Sequence, residues 1–320
     1  MIHLSIDLPS DANQRIDKFL RKFLPNAPLG GIFKWIRTGK IKVNSKKVDQ
    51  NYRVSLGDSI TFFLTEEEMS SFKHSPEIVG NPEVKVQKKQ FEVLYEDSNI
   101  LIVNKPYGMN VHPGDHKSQE VSLIELVHDY LGKSYNSLSF KPSLVHRIDR
   151  DTSGCIIIAK EKRSLEKLLL DLQSGEIRKV YHALVLGNLD KKHGTIDKKL
   201  IRIENAKDEA KVQVHEDGLK AVTHFRVLKE GIKEKYSLVE CEIETGRTHQ
   251  IRVHLSSLGY PILGDKAYGN AKENSFARRE YKIHRQMLHA FSLTFLHPIT
   301  RKSIHIEAPY IGDMKDLIDL

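Results

Sequence analysis

"LVHRIDRDTSGCIIIAK", residues 144–160, governs how the rest of the chain is read. It ends in an uninterrupted apolar run, Cys155 to Ala159, with the β-branched content of a strand buried on both faces. Just before that run stand five ionisable side chains, His146, Arg147, Asp149, Arg150 and Asp151. Alternating cations and anions are costly to desolvate, so a plain core strand does not account for them. Three local readings compete. An aspartic-protease turn needs Asp-Thr/Ser-Gly; here Asp151-Thr152-Ser153-Gly154 carries an extra residue and has no second copy. A serine hydrolase would place Ser153 in a Gly-x-Ser-x-Gly elbow, which is absent. The third reading is a positioned carboxylate, Asp149, among arginines, acting as nucleophile or base; Arg150 and Asp151 then pair with each other at the surface.

Around this stretch the pattern is strand-rich. "FEVLYEDSNILIVNKPYG" (91–108) reads as strand, turn, strand, and "VSLIELVHDYLG" (121–132) as an amphipathic helix. "SLEKLLLDLQSG" (164–175) is a second helix; "VYHALVLG" (180–187), "AVTHFRVLKE" (221–230), "KYSLVECEIETG" (235–246) and "LHAFSLTFLHP" (288–298) are strands. Many strands with few scattered helices predict an α+β domain with a mostly antiparallel sheet over 91–320.

The N-terminal part is different in kind. "NQRIDKFLRKFLP" (13–25) sets Ile16, Phe19, Leu20 and Phe23 on one helical face, with Asn13 as the expected N-cap and Pro25 as a stop. "LGGIFKWIRTGK" (29–40) predicts a second short helix with Ile32, Phe33 and Ile36 inward and Gly39 closing it; "KIKVNSKKV" and "GDSITFFL" follow as strands. Residues 14–64 hold eleven Lys and Arg against three Asp, a surplus equal to the +8 of the whole chain. Charge so concentrated, with Arg15, Lys18, Lys22, Lys34, Arg37 and Lys40 mostly off the apolar face, points to a nucleic-acid partner. Residues 65–90 mix both charges with Pro and Gly and lack a clean period; the domain reading is therefore 1–68, a linker at 69–90, and 91–320.

Composition closes off several classes. No apolar run is long enough for a membrane-spanning helix and the first residues lack a secretion-signal core, which together suggest a cytoplasmic protein. The two cysteines, Cys155 and Cys241, lie in apolar strand-like runs and read as reduced, buried thiols; no Cys-x-x-Cys pair supports zinc. A second dense cluster, "ETGRTHQIRVH" (244–254), carries Arg247, His249, Gln250, Arg252 and His254. Arg and Gln suit phosphate and base-edge contacts, while two histidines five apart are wrong for metal ligation from one helical face.

Two resemblances organise these observations. "QRIDKFL", "IRTGKIKVN" and "GDSI" resemble the S4-type RNA-binding module, an α/β fold, over about the first fifth of the chain. "NKPYGMNVHP", "LVHRIDRDTSGCIIIAK", "KVYHALVLG" and "TGRTHQIRVHLSSLGYPILGDKAYG" look like the successive motifs of the RluA family of pseudouridine synthases, in the family's order across most of 91–310. The whole chain resembles the family's two-domain ribosomal branch, the opening being most similar to the RluC type, which acts on large-subunit ribosomal RNA, and then to the RluD type. The resemblance implies an isomerase that breaks the N1–C1′ bond of uridine and rejoins the sugar through C5, without metal or organic cofactor, by a glycal or a direct-addition route. It implies Asp149 as the catalytic carboxylate, Arg252 as its charge partner, Arg147 as the residue filling the space of a flipped-out base, and Tyr181 as the ring stacking on uracil. His146, Arg247, His249 and Gln250 join the candidates for RNA contact, and Lys105 either touches a phosphate or shapes the turn of "NKPYG". Ile148 and Cys155 depart from the family's usual Leu and Val, apolar swaps of modest size. The expected partner is large-subunit ribosomal RNA or its precursor, met by a monomer. A non-catalytic RNA-binding or ribosome-assembly factor is the rival reading; a carboxylate at 149, which would repel a phosphate path, speaks against it.

Overall fold

The computed structural model describes residues 1–8, 11–73, 91–113, 120–132, 135, 137–203 and 211–318. It divides into two compact units: Met1–Lys88 with Tyr130–Pro142 and Glu161–Arg163, and Lys89–Asp129 with Ser143–Lys160 and Ser164–Leu320.

The first unit has a three-stranded antiparallel sheet in the order β1 (Ile2–Ser5), β3 (Ser59–Phe62), β2 (Ile41–Val43). The expected helices are α1 (Ile16–Phe23) and α2 (Leu29–Thr38). Their apolar faces supply Ile16, Phe19, Leu20, Ile32 and Ile36 to a core that also takes Ile41, Ile60 and Phe62. Gly39 ends α2 in the left-handed conformation (φ 77°), as its position suggested. Asn13 does not cap α1: it is itself left-handed (φ 58°), and the N-cap is Arg15, whose guanidinium instead forks onto the first-turn Asp17 at 3.0 and 2.9 Å. The later segment is tied in by Asp11, whose carboxylate accepts the backbone N–H groups of Leu138 (2.9 Å) and Ser139 (2.7 Å).

The linker expected from residue 69 begins inside a helix. α3 runs Glu66–Phe72, because Thr65 and Glu68 form a reciprocal capping box that satisfies two orphan N–H groups. A Thr-x-x-Glu signature was present in a stretch dismissed for its lack of period. The remaining expected linker residues, 74–90, lie outside the described residues.

The second unit is built on a ten-stranded sheet, whose main path runs β4 (Glu92–Glu96), β5 (Ile100–Lys105), β7 (Ser153–Ala159), β14 (Leu288–Leu296), β8 (Arg178–Leu186), β13 (Tyr236–Ile243), β12 (Val222–Ile232), β9 (His193–Asp197). β15 (Ser303–Glu307) adds to β14 and β6 (Ser143–Leu144) to β7. Every pairing is antiparallel except β7 with β14, which meet in parallel at Ser153–His289 and Gly154–Ala290. Only glycine fits that join: a Cβ on Gly154 (φ 114°) would lie 2.2 Å from the Ala290 carbonyl oxygen. The parallel contact is short, so between it and β6 the edge of β7 needs another partner. The charged stretch supplies it: Val145 N–H bonds the Ile157 carbonyl (3.0 Å), and the Ile157 N–H is accepted by His146 Nε2 (3.2 Å). The turn carrying Arg147 and Asp149 is thereby stitched along a fully buried strand. A separate hairpin, β10 (Leu200–Ile203) with β11 (Lys211–Val214), stands off the main sheet.

Candidate active site

The turn before β7 and the segment leading into helix α4 (Gln250–Ser257) bring the two charged clusters together, although more than ninety residues separate them. One pocket is lined by Arg147, Asp149 and Thr152 from the first cluster, Tyr181 from β8, and Arg247, His249 and Arg252 from the second.

Asp149 is partly exposed, its side chain at 23%, and faces this pocket. Arg252 donates from Nη1 to Asp149 Oδ2 at 3.0 Å. The same guanidinium is held from behind by Asp265, which accepts from Nε (2.7 Å) and Nη2 (3.0 Å). Asp265 is fully buried and also accepts the N–H groups of Ala267 (2.9 Å) and Tyr268 (3.0 Å). The forked, stronger grip on Arg252 is thus Asp265's, and Asp149 takes the remaining donor. Burial disfavours the Arg252 charge, but Asp265 and then Asp149 outweigh it and raise its pKa, so the guanidinium is a permanent cation. The Asp265 turn depends on Gly264 (φ 78°), where a Cβ would sit 1.9 Å from the Arg285 carbonyl oxygen.

On another side of Asp149 stands His249, at the N-cap of α4 in the left-handed conformation (φ 56°). Its Nε2 lies 3.9 Å from Asp149 Oδ2. Tyr268 Oη accepts the Val212 N–H (2.9 Å) and is also hydrogen-bonded to His249 Nδ1 (2.9 Å), which leaves Nε2 as the ring nitrogen nearer Asp149. The Arg252 guanidinium also lies over the Tyr268 ring, 5.1 Å from its centroid.

Tyr181 is buried (7% exposed) with its ring lining the pocket. Burial, with Asp149 adding to it, raises its pKa, which keeps the phenol protonated. Arg147 is exposed at the mouth. Arg247 is exposed too, its Nε donating to the Lys220 carbonyl (3.1 Å).

Three residues expected to contact RNA are occupied by the protein itself. Lys105 is fully buried, and its Nζ donates to the carbonyls of Pro106 (2.7 Å), Met109 (2.9 Å) and Arg150 (2.9 Å). It shapes the turn and pins the Asp149 loop; burial pushes its pKa down to about 7. Gln250 is buried, donating to Val222 O and Thr223 Oγ1 while its oxygen accepts from Thr245 and Arg247 N–H, so no base edge can reach it. His146 serves the β7 edge through Nε2 while, among the described residues, its Nδ1 is buried without a partner, and burial pushes the ring down to about 3, a neutral imidazole. His254 likewise is structural, bonded to Thr223 Oγ1 (2.9 Å) and the Lys198 carbonyl (3.0 Å). Arg150 and Asp151 do pair, at 3.5 Å, with Glu120 as a further partner of Arg150 at 2.9 Å.

In the first unit Lys18, Lys22, Lys34, Arg37 and Lys40 are exposed, while Arg15 is half-buried and engaged by Asp17. The sequence reading did not single out Asp265, Tyr268 or Lys179. Asp265 and Tyr268 stood in the quoted "GDKAYG", where an acid directly after a glycine that no other residue can replace was the available signal. Lys179 is a cation at the head of an otherwise buried strand. Among the described residues no group of three His, Cys, Asp or Glu is placed to hold a metal, and no helix is long and apolar enough to cross a membrane.

A buried arginine fixed between two carboxylates, beside an aromatic ring and an exposed cation at a pocket mouth, defines a site for acid–base or nucleophilic work on a planar polar substrate. Comparison with known proteins gives this class its name. Residues 99–257 match the model of the RNA pseudouridylate synthase family, and residues 14–60 that of the S4 domain. The chain is 40% identical to ribosomal large subunit pseudouridine synthase C of Buchnera aphidicola subsp. Baizongia pistaciae, covering 92% of this chain and 90% of that one. It is 36% identical to an uncharacterized RNA pseudouridine synthase of Bacillus subtilis (96% and 94% covered), and 33% identical to the synthase C of Vibrio cholerae (95% and 92%). The solved structure of human RNA pseudouridylate synthase domain containing 1 shares the fold, with a TM-score of 0.56 at 24% identity over 71% of this chain and 87% of that one. The chain belongs to the RNA pseudouridine synthase family and is an S4-domain RNA uridine isomerase.

Proposed function

We propose that this enzyme isomerises uridines of large-subunit ribosomal RNA, in the cytoplasm and as a monomer, with Asp149 as the catalytic carboxylate. The observation that carries the assignment is the Asp149–Arg252–Asp265 arrangement: of the two carboxylates on Arg252, only Asp149 opens to the pocket. Asp149 acts on the sugar or the uracil ring, the N1–C1′ bond breaks, C1′ rejoins at C5, and C5 gives up its proton as N1 gains one. Arg252 supplies a fixed positive charge to the carboxylate, so no reorganisation is needed as charge develops. The target base has to leave its stack to reach Asp149. Arg147, exposed at the mouth, fills the vacated space with a planar guanidinium, and Tyr181, its phenol kept protonated, stacks on the uracil. The relatives named as large-subunit synthases, similar over nearly their whole length, support the RNA class, and the exposed lysines of the S4 unit supply phosphate contacts. The test is pseudouridine mapping of ribosomal RNA from cells with and without the gene, complemented by wild type or Asp149→Asn. Positions that lose pseudouridine and regain it only with wild type are the substrate; an unchanged map refutes the assignment.

A further inference from the structure

Lys179 is an anomaly. It stands on β8 two residues before Tyr181, on the same face of the strand, and is only 7% exposed. Among the described residues its Nζ makes no hydrogen bond and no ion pair, and burial lowers its pKa with no acid acting in the other direction. Buried lysines are normally paired, because an uncompensated ammonium loses its hydration for nothing in return. This one reaches a cavity that adjoins the Asp149 pocket and shares Arg147, Tyr181, Ile243, Gly246 and Arg247 with it. The floor of the cavity is Lys179, its walls carry the exposed Arg147 and Arg247, and Nζ lies 3.9 Å from where a Cβ on Gly246 would stand. The one acid on its lining, Glu244, is exposed and bonded to His224 at 2.7 Å. Three cations therefore converge on a recess beside the ring assigned to the uracil, with no protein anion to neutralise the deepest of them.

We propose that Lys179, with Arg247 at the rim, binds a phosphodiester of the RNA backbone next to the target nucleotide. A phosphodiester is a compact anion with two free oxygens; it satisfies a point-charge ammonium at depth and a guanidinium fork at the rim. The distance logic fits: Tyr181 takes the base and Lys179, one same-face step away along the strand, takes the backbone that the flipped base drags inward. The proposal rests on reading the pocket as a uridine site. It implies a cation maintained at a cost to the free protein for the sake of the complex.

That cost gives the test two readouts of opposite sign. Binding of a short fluorescent oligouridylate to the full-length protein is measured over a series of KCl concentrations for wild type, Lys179→Met and Lys179→Arg, together with the melting temperature of each free protein. Lys179→Met is expected to lower the log–log salt slope by about 0.7, one single-strand phosphate contact, while melting no lower than wild type, since it replaces an unpaired buried cation by an apolar chain. Lys179→Arg keeps the slope. The single-turnover rate at saturating ribosomal RNA is measured for the same three proteins. An unchanged slope, or a Met variant that melts clearly below wild type, overturns the proposal. So does wild-type affinity with a collapsed single-turnover rate, which would put the ammonium on the uracil instead. An unchanged pseudouridine map would refute the ribosomal substrate and leave the oligouridylate slope as it is, so the two failures are separable.

Discussion

Asp265→Asn tests whether the site's charge is held from behind. The carboxylate is fully buried and accepts four hydrogen bonds, two from Arg252 at 2.7 and 3.0 Å and two from backbone N–H groups at 2.9 and 3.0 Å. Asparagine keeps the shape but turns an amide N–H₂ toward donors, leaving part of the Arg252 fork unsatisfied and the buried guanidinium without its nearer counter-ion. Removing one partner of a buried pair costs about 3–5 kcal/mol, a large part of the roughly 5–15 kcal/mol that keeps a domain folded. For a unit of this size that corresponds to a fall of roughly 6–20 °C in melting temperature, at about 2–4 °C per kcal/mol. Asp149→Asn is the control. It removes a carboxylate with 23% side-chain exposure and leaves Arg252 paired to Asp265, so it should melt within a few degrees of wild type. The assay must see the right unit: Trp35, the single tryptophan, belongs to the N-terminal core, so scanning calorimetry is needed rather than fluorescence. If Asp265→Asn melts with wild type, the fork does not carry the site and the inferred hierarchy of the two carboxylates is wrong.

Other outcomes follow from the same geometry. Asp149→Asn should form no pseudouridine yet bind RNA within a few-fold of wild type, since affinity resides in phosphate contacts; comparable product formation would remove Asp149 from its role. Arg252→Met should unfold the catalytic unit more than it informs on catalysis, because it strands the buried Asp265; Arg252→Lys, which keeps a point charge but no fork, should fold with a reduced single-turnover rate at saturating RNA, and a wild-type rate would show that the fork is dispensable. Replacing the exposed Lys18, Lys22, Lys34, Arg37 and Lys40 by Gln should reduce the salt slope of RNA binding by about 0.7–0.9 per lost contact, with pseudouridine still formed at saturation; an unchanged slope would take this face off the RNA. Deleting the S4 unit would be less clean, because it would also remove Asp11 from its Leu138 and Ser139 donors. His289, buried between Ser153 and the Ala308 carbonyl, is pushed down by burial from 6.5 to about 4. Between those values the unfolded ring takes a proton that the folded ring refuses, so stability falls as pH drops through that window, by about 1.4 kcal/mol per pH unit. Urea denaturation of His289→Gln should show a shallower loss over the same window; an equal slope would mean the ring titrates normally.

The local and the modular were legible without coordinates. Periodicity located α1 and α2, because an amphipathic face is written at 3.6-residue spacing, and the apolar run at 155–159 announced a strand buried on both faces. Charge density singled out the basic N-terminal segment, and motif order singled out the family and the two charged clusters. What the residue string cannot carry is how donors and acceptors divide among distant neighbours. Lys105 and Gln250 look like RNA ligands by type, yet each is consumed by protein groups that only the tertiary arrangement brings near, and His146 gives its Nε2 to the Ile157 N–H. Arg252 was expected to pair with Asp149, and it does, but its forked partner is Asp265, thirteen residues away around the Gly264 turn. The inverse holds for Lys179, an ordinary strand lysine in sequence, which becomes notable only because the fold buries it and sends no anion to meet it. Composition and spacing specify which groups a chain owns; solvent exclusion and long-range packing decide which of them remain unsatisfied, and in this site the unsatisfied groups are the ones left to meet a substrate.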